Sequence, residues 1–149
     1  MPALYPHIAV CVDRSEPAMN AFRDAIRLRD DSGAERLSVV HVAPWPMVYA
    51  GEAAGWAPNQ KDIEDSAALW LEETIGDTPG ATAVLLDGYP PVAVCDWAAD
   101  NDVSLLIAAS HRGLVERVLL GSFAGYLVRH APCSVLLTRT PTTDQTSEG

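Results

Sequence analysis

Short apolar runs alternate along this chain with stretches whose apolar residues recur at helical spacing, and that alternation restricts the fold more than any other feature. His7 to Val12, Leu37 to Val42, Ala81 to Leu86, Val103 to Ala109 and Ser134 to Thr138 read as strands. A first helix is marked by Ala18, Ala21, Phe22, Ala25 and Ile26, with Ser15 as N-cap, Pro17 in the first turn, and a stop at Asp30 to Gly33. Ile63, Ala67, Trp70, Leu71 and Ile75 mark a second helix. After the turn Gly88-Tyr89-Pro90-Pro91, a third is marked by Val92, Cys95, Ala98 and Ala99. The fourth opens at Ser122, places Ala124, Leu127, Val128 and Ala131 inward, and ends at Pro132.

The order β-α-β-α-β-α-β-α-β calls for parallel pairing through right-handed crossovers. The expected class is α/β: one domain, an open five-stranded parallel sheet with helices on both faces. The run Val103 to Ala109 is apolar except for Ser104, which suits a strand covered on both sides. Ala43 to Asn59, with three prolines and the aromatics Trp45, Tyr49 and Trp56, reads as a long loop, either functional or a flexible cover. The residues from 140 to 149 are polar and read as a disordered tail, leaving 1–139 as the domain.

Ligands of open α/β sheets sit beyond the carboxyl ends of the strands, near a reversal of strand order. Polar groups follow two strand ends here: Asp13 after the first and Ser110-His111-Arg112 after the fourth. The second group begins a loop with His111, Arg112 and Arg117, opposed only by Glu116, and leads into Gly121-Ser122 at a helix start. The chain as a whole carries a formal net charge of -10, so this loop is a local cationic island. Cations beside a helix N-terminus suit an anion, phosphate above all. Each residue also has a plainer reading. Asp13 either caps the first helix or touches a ribose or a metal-bound phosphate. Gly121-Ser122 is either an ordinary helix start or a phosphate cradle of backbone N–H groups.

Other chemistries find little support. The acidic balance, 20 Asp+Glu against 10 Lys+Arg, argues against a nucleic-acid surface. No apolar run is long enough to span a bilayer, and the N-terminus lacks the pattern of a signal peptide, so a cytoplasmic protein is expected. Cys11, Cys95 and Cys133 are far apart in apolar contexts and read as buried thiols of a reducing compartment. His41 lies in an apolar strand and reads as a satisfied core histidine. The Walker A loop, the Gly-x-Gly-x-x-Gly fingerprint and the Gly-x-Ser-x-Gly elbow are all absent, and no nucleophile is paired with a general base.

From His7 to Arg139 the chain resembles the universal stress protein family. The segments that carry the resemblance are Val10-Cys11-Val12-Asp13-Arg14-Ser15-Glu16, Val39-Val40-His41-Val42, Leu105 to His111, Leu119-Leu120-Gly121-Ser122 and Val128 to Leu137. The resemblance implies a Rossmann-like α/β fold, usually a homodimer paired through the last strand, and ATP or another adenine nucleotide as ligand in some members only. Mg2+ held through the phosphates would accompany it. The nucleotide-binding kind carries Gly-x2-Gly-x9-Gly-Ser/Thr. Here Ala109 and Arg112 stand at the first two glycine positions, and the spacer to Gly121 is eight residues. A subset of the family carries this Ser-His-Arg variant. Carried over by position, the adenosine side comprises Val12, Asp13, Val42 and Ala108. The phosphate side comprises Ala109, Arg112, Gly121, Ser122, Phe123 and Ala124. The resemblance leaves three roles open: a nucleotide-binding regulator, an interaction module that binds no nucleotide, and a weak nucleotide hydrolase. The first is the expectation, with an unknown regulatory protein as further partner.

Overall fold

A computed structural model describes residues 2–43, 59–110 and 121–139. The elements follow in the order β1 (His7–Cys11), α1 (Glu16–Ser32), β2 (Arg36–Val42), α2 (Gln60–Ile75), β3 (Ala81–Leu86), α3 (Pro90–Asp100), β4 (Leu105–Ala109), α4 (Ser122–His130) and β5 (Ser134–Thr138). All neighbouring strands pair in parallel, in the spatial order β3-β2-β1-β4-β5. The chain therefore builds outward from β1 to β3, returns across the sheet, and builds outward again through β4 to β5. The reversal falls between β1 and β4.

Two apolar layers follow from the period of two along each strand. Ile8, Val10, Leu37, Val39, Leu105 and Ile107 face α1 and α2, where they meet Ala21, Phe22, Ala25, Leu71 and Ile75. Their neighbours Ala9, Val40, Leu106 and Ala108 face α3 and α4, where they meet Val94, Cys95, Ala98 and Leu127. β4 is buried along its whole length, so nothing but apolar side chains fits there.

Local chemistry sets the element ends. Ser15 caps α1 by accepting from the Ala18 amide at 3.3 Å, with Glu16 in the first turn. Gly33 closes the helix at φ 74°, a left-handed conformation that glycine adopts without steric cost. Ser104 lies before β4 rather than within it. Its hydroxyl donates to the His7 carbonyl at 2.9 Å and accepts from the His7 amide at 3.0 Å. The polar residue that interrupts the apolar run thus fastens the start of β4 to the start of β1.

Some inward faces differ from those the spacing predicts. On α3 the buried residues are Pro91, Val94, Cys95 and Ala98, while Ala99 is exposed and Val92 half-buried. On α4, Ala124, Gly125 and Leu127 are buried, but Val128 is 53% exposed. Both stripes are narrower than the run of apolar residues, because each helix meets the sheet along one line of contact. The long loop (44–58), the cationic loop (111–120) and the polar tail (140–149) lie outside the described residues. Among the described residues, no helix is long and apolar enough to cross a membrane.

His7 ties together the amino ends of the strands. Its Nδ1 donates to the Asn101 carbonyl at 3.0 Å, which leaves Nε2 of the neutral ring to accept from the Ser38 hydroxyl at 2.8 Å. Trp97 stands edge-on to the ring. Burial pushes the His7 pKa below 6.5, and the Arg36 charge pushes the same way, against the hydrogen bond to Asn101 and the Asp102 carboxylate. The unfolded chain therefore binds a proton more readily than the folded one. The stability carried by His7 is complete above pH 6.5 and is lost as pH falls below it. Urea midpoints measured from pH 7.5 down to pH 5 should drop for the wild type, and a His7→Asn variant should show a shallower drop.

Candidate functional site

The strand ladders do not all end at the same height. β1 pairs with β4 only as far as Val10 and Ile107, and with β2 as far as Cys11 and Val40. The outer pairs run further: β2 with β3 to Val42 and Leu86, and β4 with β5 to Ala109 and Thr138. The central strand thus stops short while its neighbours continue outward. A cavity of ≈ 270 Å³ opens at that point.

Its walls come from both layers. Cys11, Val12 and Asp13 close the β1 side, Val40, His41 and Val42 the β2 side, and Ala108 and Ala109 the β4 side. Ala18 of α1, Pro90 and Val94 of α3, and Phe123 of α4 complete it. The lining is predominantly apolar, with Asp13 and His41 as the titratable polar side chains besides the Cys11 thiol. That composition suits a flat, largely apolar body carrying a few hydrogen-bonding groups.

Of the residues the sequence nominates, Val12, Asp13, Val42, Ala108, Ala109 and Phe123 meet in this cavity. Gly121, Ser122 and Ala124 stand at the start of α4, beside Phe123, and do not line it. Arg112 lies outside the described residues. The hydroxyl and amide of Ser110 both donate to the Thr138 carbonyl, at 3.0 Å and 2.9 Å, so this residue is bonded to the end of β5. Sequence reasoning did not nominate Cys11, Ala18, Val40, His41, Pro90 or Val94. His41 was the legible one, because it precedes Val42 on a strand whose end reaches the site.

The β1–α1 turn is held closely. The Val12 amide donates to the Val40 carbonyl at 2.8 Å. The Val12 carbonyl accepts from His41 Nδ1, also at 2.8 Å, which fixes the tautomer of the ring. Asp13 is exposed, and its Oδ1 accepts from the Ser15 amide at 2.8 Å. His41 packs edge-on against Trp70 of α2 with ring centroids 4.8 Å apart. The Arg14 guanidinium lies over the same indole, 5.0 Å from its centroid.

At α4 the N-cap is Gly121, not Ser122, and among the described residues no side chain caps the helix. Ser122 is the first helical residue and its side chain is exposed. Among the described residues, the first-turn amides of α4 thus have no side-chain acceptor. Gly121 has φ -52°, a conformation open to any residue, and no described atom lies within 4 Å of where its Cβ would stand. Neither backbone conformation nor packing within the described residues calls for glycine at this position. Glycine is a favoured residue at a helix N-cap, and it leaves the approach to the helix end unobstructed by a side chain of its own.

Burial pushes the Cys11 thiol up to about 12, with Cys95 and Cys133 nearby adding to the effect. Cys95 and Cys133 are also raised by burial, and all three are free thiols. Thiolate is the reactive form, so the raised pKa makes Cys11 a weak nucleophile near neutral pH. Iodoacetamide at pH 8 should leave Cys11 unmodified in the native protein and alkylate it after unfolding, as mass spectrometry would show.

A family model described as the universal stress protein family matches residues 4–139. The chain belongs to that family. Universal stress protein Sll1388 of Synechocystis sp. is 28% identical, over 89% of this chain and 97% of its own length. The solved structure of hypothetical protein MJ0577 superposes with a TM-score of 0.75 at 20% identity, covering 94% of this chain and 99% of the other. A universal stress protein from Archaeoglobus fulgidus in complex with dAMP superposes with a TM-score of 0.62 at 22% identity, covering 90% of this chain and 98% of the other.

Proposed function

We propose that this protein binds an adenine nucleotide in the switch-point cavity and acts as a homodimeric stress-response or regulatory protein rather than as a catalyst. The observation that carries the reading is the pairing of two features at one end of the sheet. An apolar cavity of ≈ 270 Å³ with one carboxylate at its rim suits a base and sugar. Beside it, the start of α4 offers amides that no side chain caps among the described residues, with no described atom close to Gly121, which suits phosphate. The dAMP complex of the relative supports the same ligand class.

In this reading the base lies against Val42, Val12 and Ala108, and Asp13 receives the ribose hydroxyls. Phosphate oxygens meet the amides of Ser122, Phe123 and Ala124, and the Ser122 hydroxyl. Arg112, in place of a motif glycine, supplies a guanidinium fork where the family pattern has backbone. Mg2+ enters with the phosphates; among the described residues no cluster of His, Cys, Asp and Glu forms a metal site of its own. The protein's contribution is to bind, orient and partly dehydrate the nucleotide.

Isothermal titration with ATP, ADP and AMP tests the reading, and heat with at least one of them at sub-millimolar affinity is expected. Gly121→Ala should lower stability by about 1 kcal/mol, the usual difference between these residues at an N-cap, and weaken nucleotide binding about tenfold. Absence of heat and of any thermal shift at millimolar nucleotide overturns it in favour of an interaction module that binds no nucleotide.

The sheet edge supports the dimer. Among the described residues β5 has β4 on one side only, and its Leu136 is 40% exposed. An apolar edge of this kind templates further strands unless it is paired. Pairing of β5 with the same strand of a second protomer would cover it. Light scattering after size exclusion should give twice the chain mass of 16.0 kDa, and a Leu136→Lys variant should shift toward monomer.

A further inference from the structure

We propose that His41 and Trp70 are positioning residues that fix the carboxylate of Asp13 for a vicinal diol, the ribose edge of the ligand. The inference rests on the nucleotide reading of the cavity and adds to it the device that holds its polar contact in place. Asp13 sits on an exposed turn beyond the last ladder pair of β1, where the sheet no longer dictates the backbone. Its two neighbours in sequence are nonetheless both held, and by the same aromatic pair. On one side, the Val12 carbonyl accepts from His41 Nδ1 at 2.8 Å. On the other, the Arg14 guanidinium lies 5.0 Å from the centre of the Trp70 ring. His41 and Trp70 are themselves in edge contact at 4.8 Å, one from β2 and the other from α2.

The result is a bracket. Residues 12 and 14 are fastened to the α2 side of the sheet, and the carboxylate between them is left at the cavity rim. Its Oδ1 is engaged by the Ser15 amide at 2.8 Å, which fixes its rotation. Oδ2 has no hydrogen-bond partner among the described residues and is the oxygen offered to a ligand. A carboxylate held this way accepts O–H donors, and adjacent hydroxyls on a sugar supply them. The pair need not touch the ligand to set its affinity, because a small displacement of a positioned group forfeits the hydrogen bond.

The measurement is the ratio of affinities for AMP and 2′,3′-dideoxy-AMP, taken by titration calorimetry on the full chain. The wild type should prefer AMP about tenfold, the usual range for hydrogen bonds to a charged group. Asp13→Asn should bring the ratio to about twofold or less. His41→Leu and Trp70→Leu should do the same, with dideoxy-AMP affinity retained. His41→Asn, whose amide can still donate to the Val12 carbonyl, and Trp70→Phe, which keeps a ring beneath Arg14, should restore most of the preference. The double variant Asp13→Asn with His41→Leu should be no worse than Asp13→Asn alone, because both remove one interaction.

A wild-type ratio near one overturns the inference, and so does an unchanged ratio in His41→Leu and Trp70→Leu while AMP still binds. Either result leaves nucleotide binding in the cavity standing, the first without the contact between Asp13 and the ribose. Failure of the wild type to bind AMP and dideoxy-AMP alike overturns this inference and removes AMP from the nucleotide reading. Should His41→Leu not fold by circular dichroism, the half-buried Trp70 carries the test: equal ratios in Trp70→Leu, Trp70→Phe and wild type overturn it.

Discussion

Everything at the functional end of this molecule depends on where the central strand stops pairing. β1 is hydrogen-bonded along both edges and covered on both faces, the most constrained position in the sheet. Its ladder with β4 ends at Val10, while the outer ladders continue to Val42 and to Ala109. A parallel sheet can leave a gap only where two strands part, and strand order makes these two part. The helices do not fill the gap, because the chain leaving β1 leads to α1 on one face and the chain leaving β4 leads to α4 on the other. The cavity is thus a property of the topology, and the side chains decide what it holds.

The same constraint explains the polar groups around it. A strand that stops must satisfy its last backbone groups by other means. At the site end this falls to Val40 and His41, which take the Val12 amide and carbonyl. At the opposite end, Ser104 takes both the amide and the carbonyl of His7. Polar side chains in this interior therefore mark strand ends, and the apolar layers between them need no such help.

Much of this was legible in the sequence, because it rests on periodicity. The strand and helix order, the cap at Ser15, the helix stop within Asp30 to Gly33, and the completely buried β4 all follow from patterns within a few residues of one another. The placement of Val12, Asp13, Val42 and Ala109 at one end of the sheet follows from that order and from family resemblance. What the sequence did not disclose depends on contacts between distant residues. The His41 bond to Val12 spans 29 positions, and an apolar strand context made that ring look purely structural. Ser104 was an interruption in a strand until its partner, 97 positions away, was in view. Ser122 had the chemistry of an N-cap, yet backbone conformation gave that place to Gly121. Val128 carried a core composition on a line of α4 that the sheet does not reach.

The walls of the cavity are also the ends of the two core layers. Val12 and Ala109 belong to the layer under α1 and α2, and Val40, Val94 and Ala108 to the layer under α3 and α4. The empty volume is in effect a packing defect, held open by two alanines at the end of β4. Filling such a defect with larger aliphatic side chains favours folding, whereas keeping it open forgoes that gain. The volume therefore depends on side-chain size at two positions: a larger aliphatic residue at Ala108 or Ala109 would narrow it. On the nucleotide reading proposed above, the two smallest side chains at the end of the most buried strand are what separates a binding member of such a fold from a filled, non-binding one.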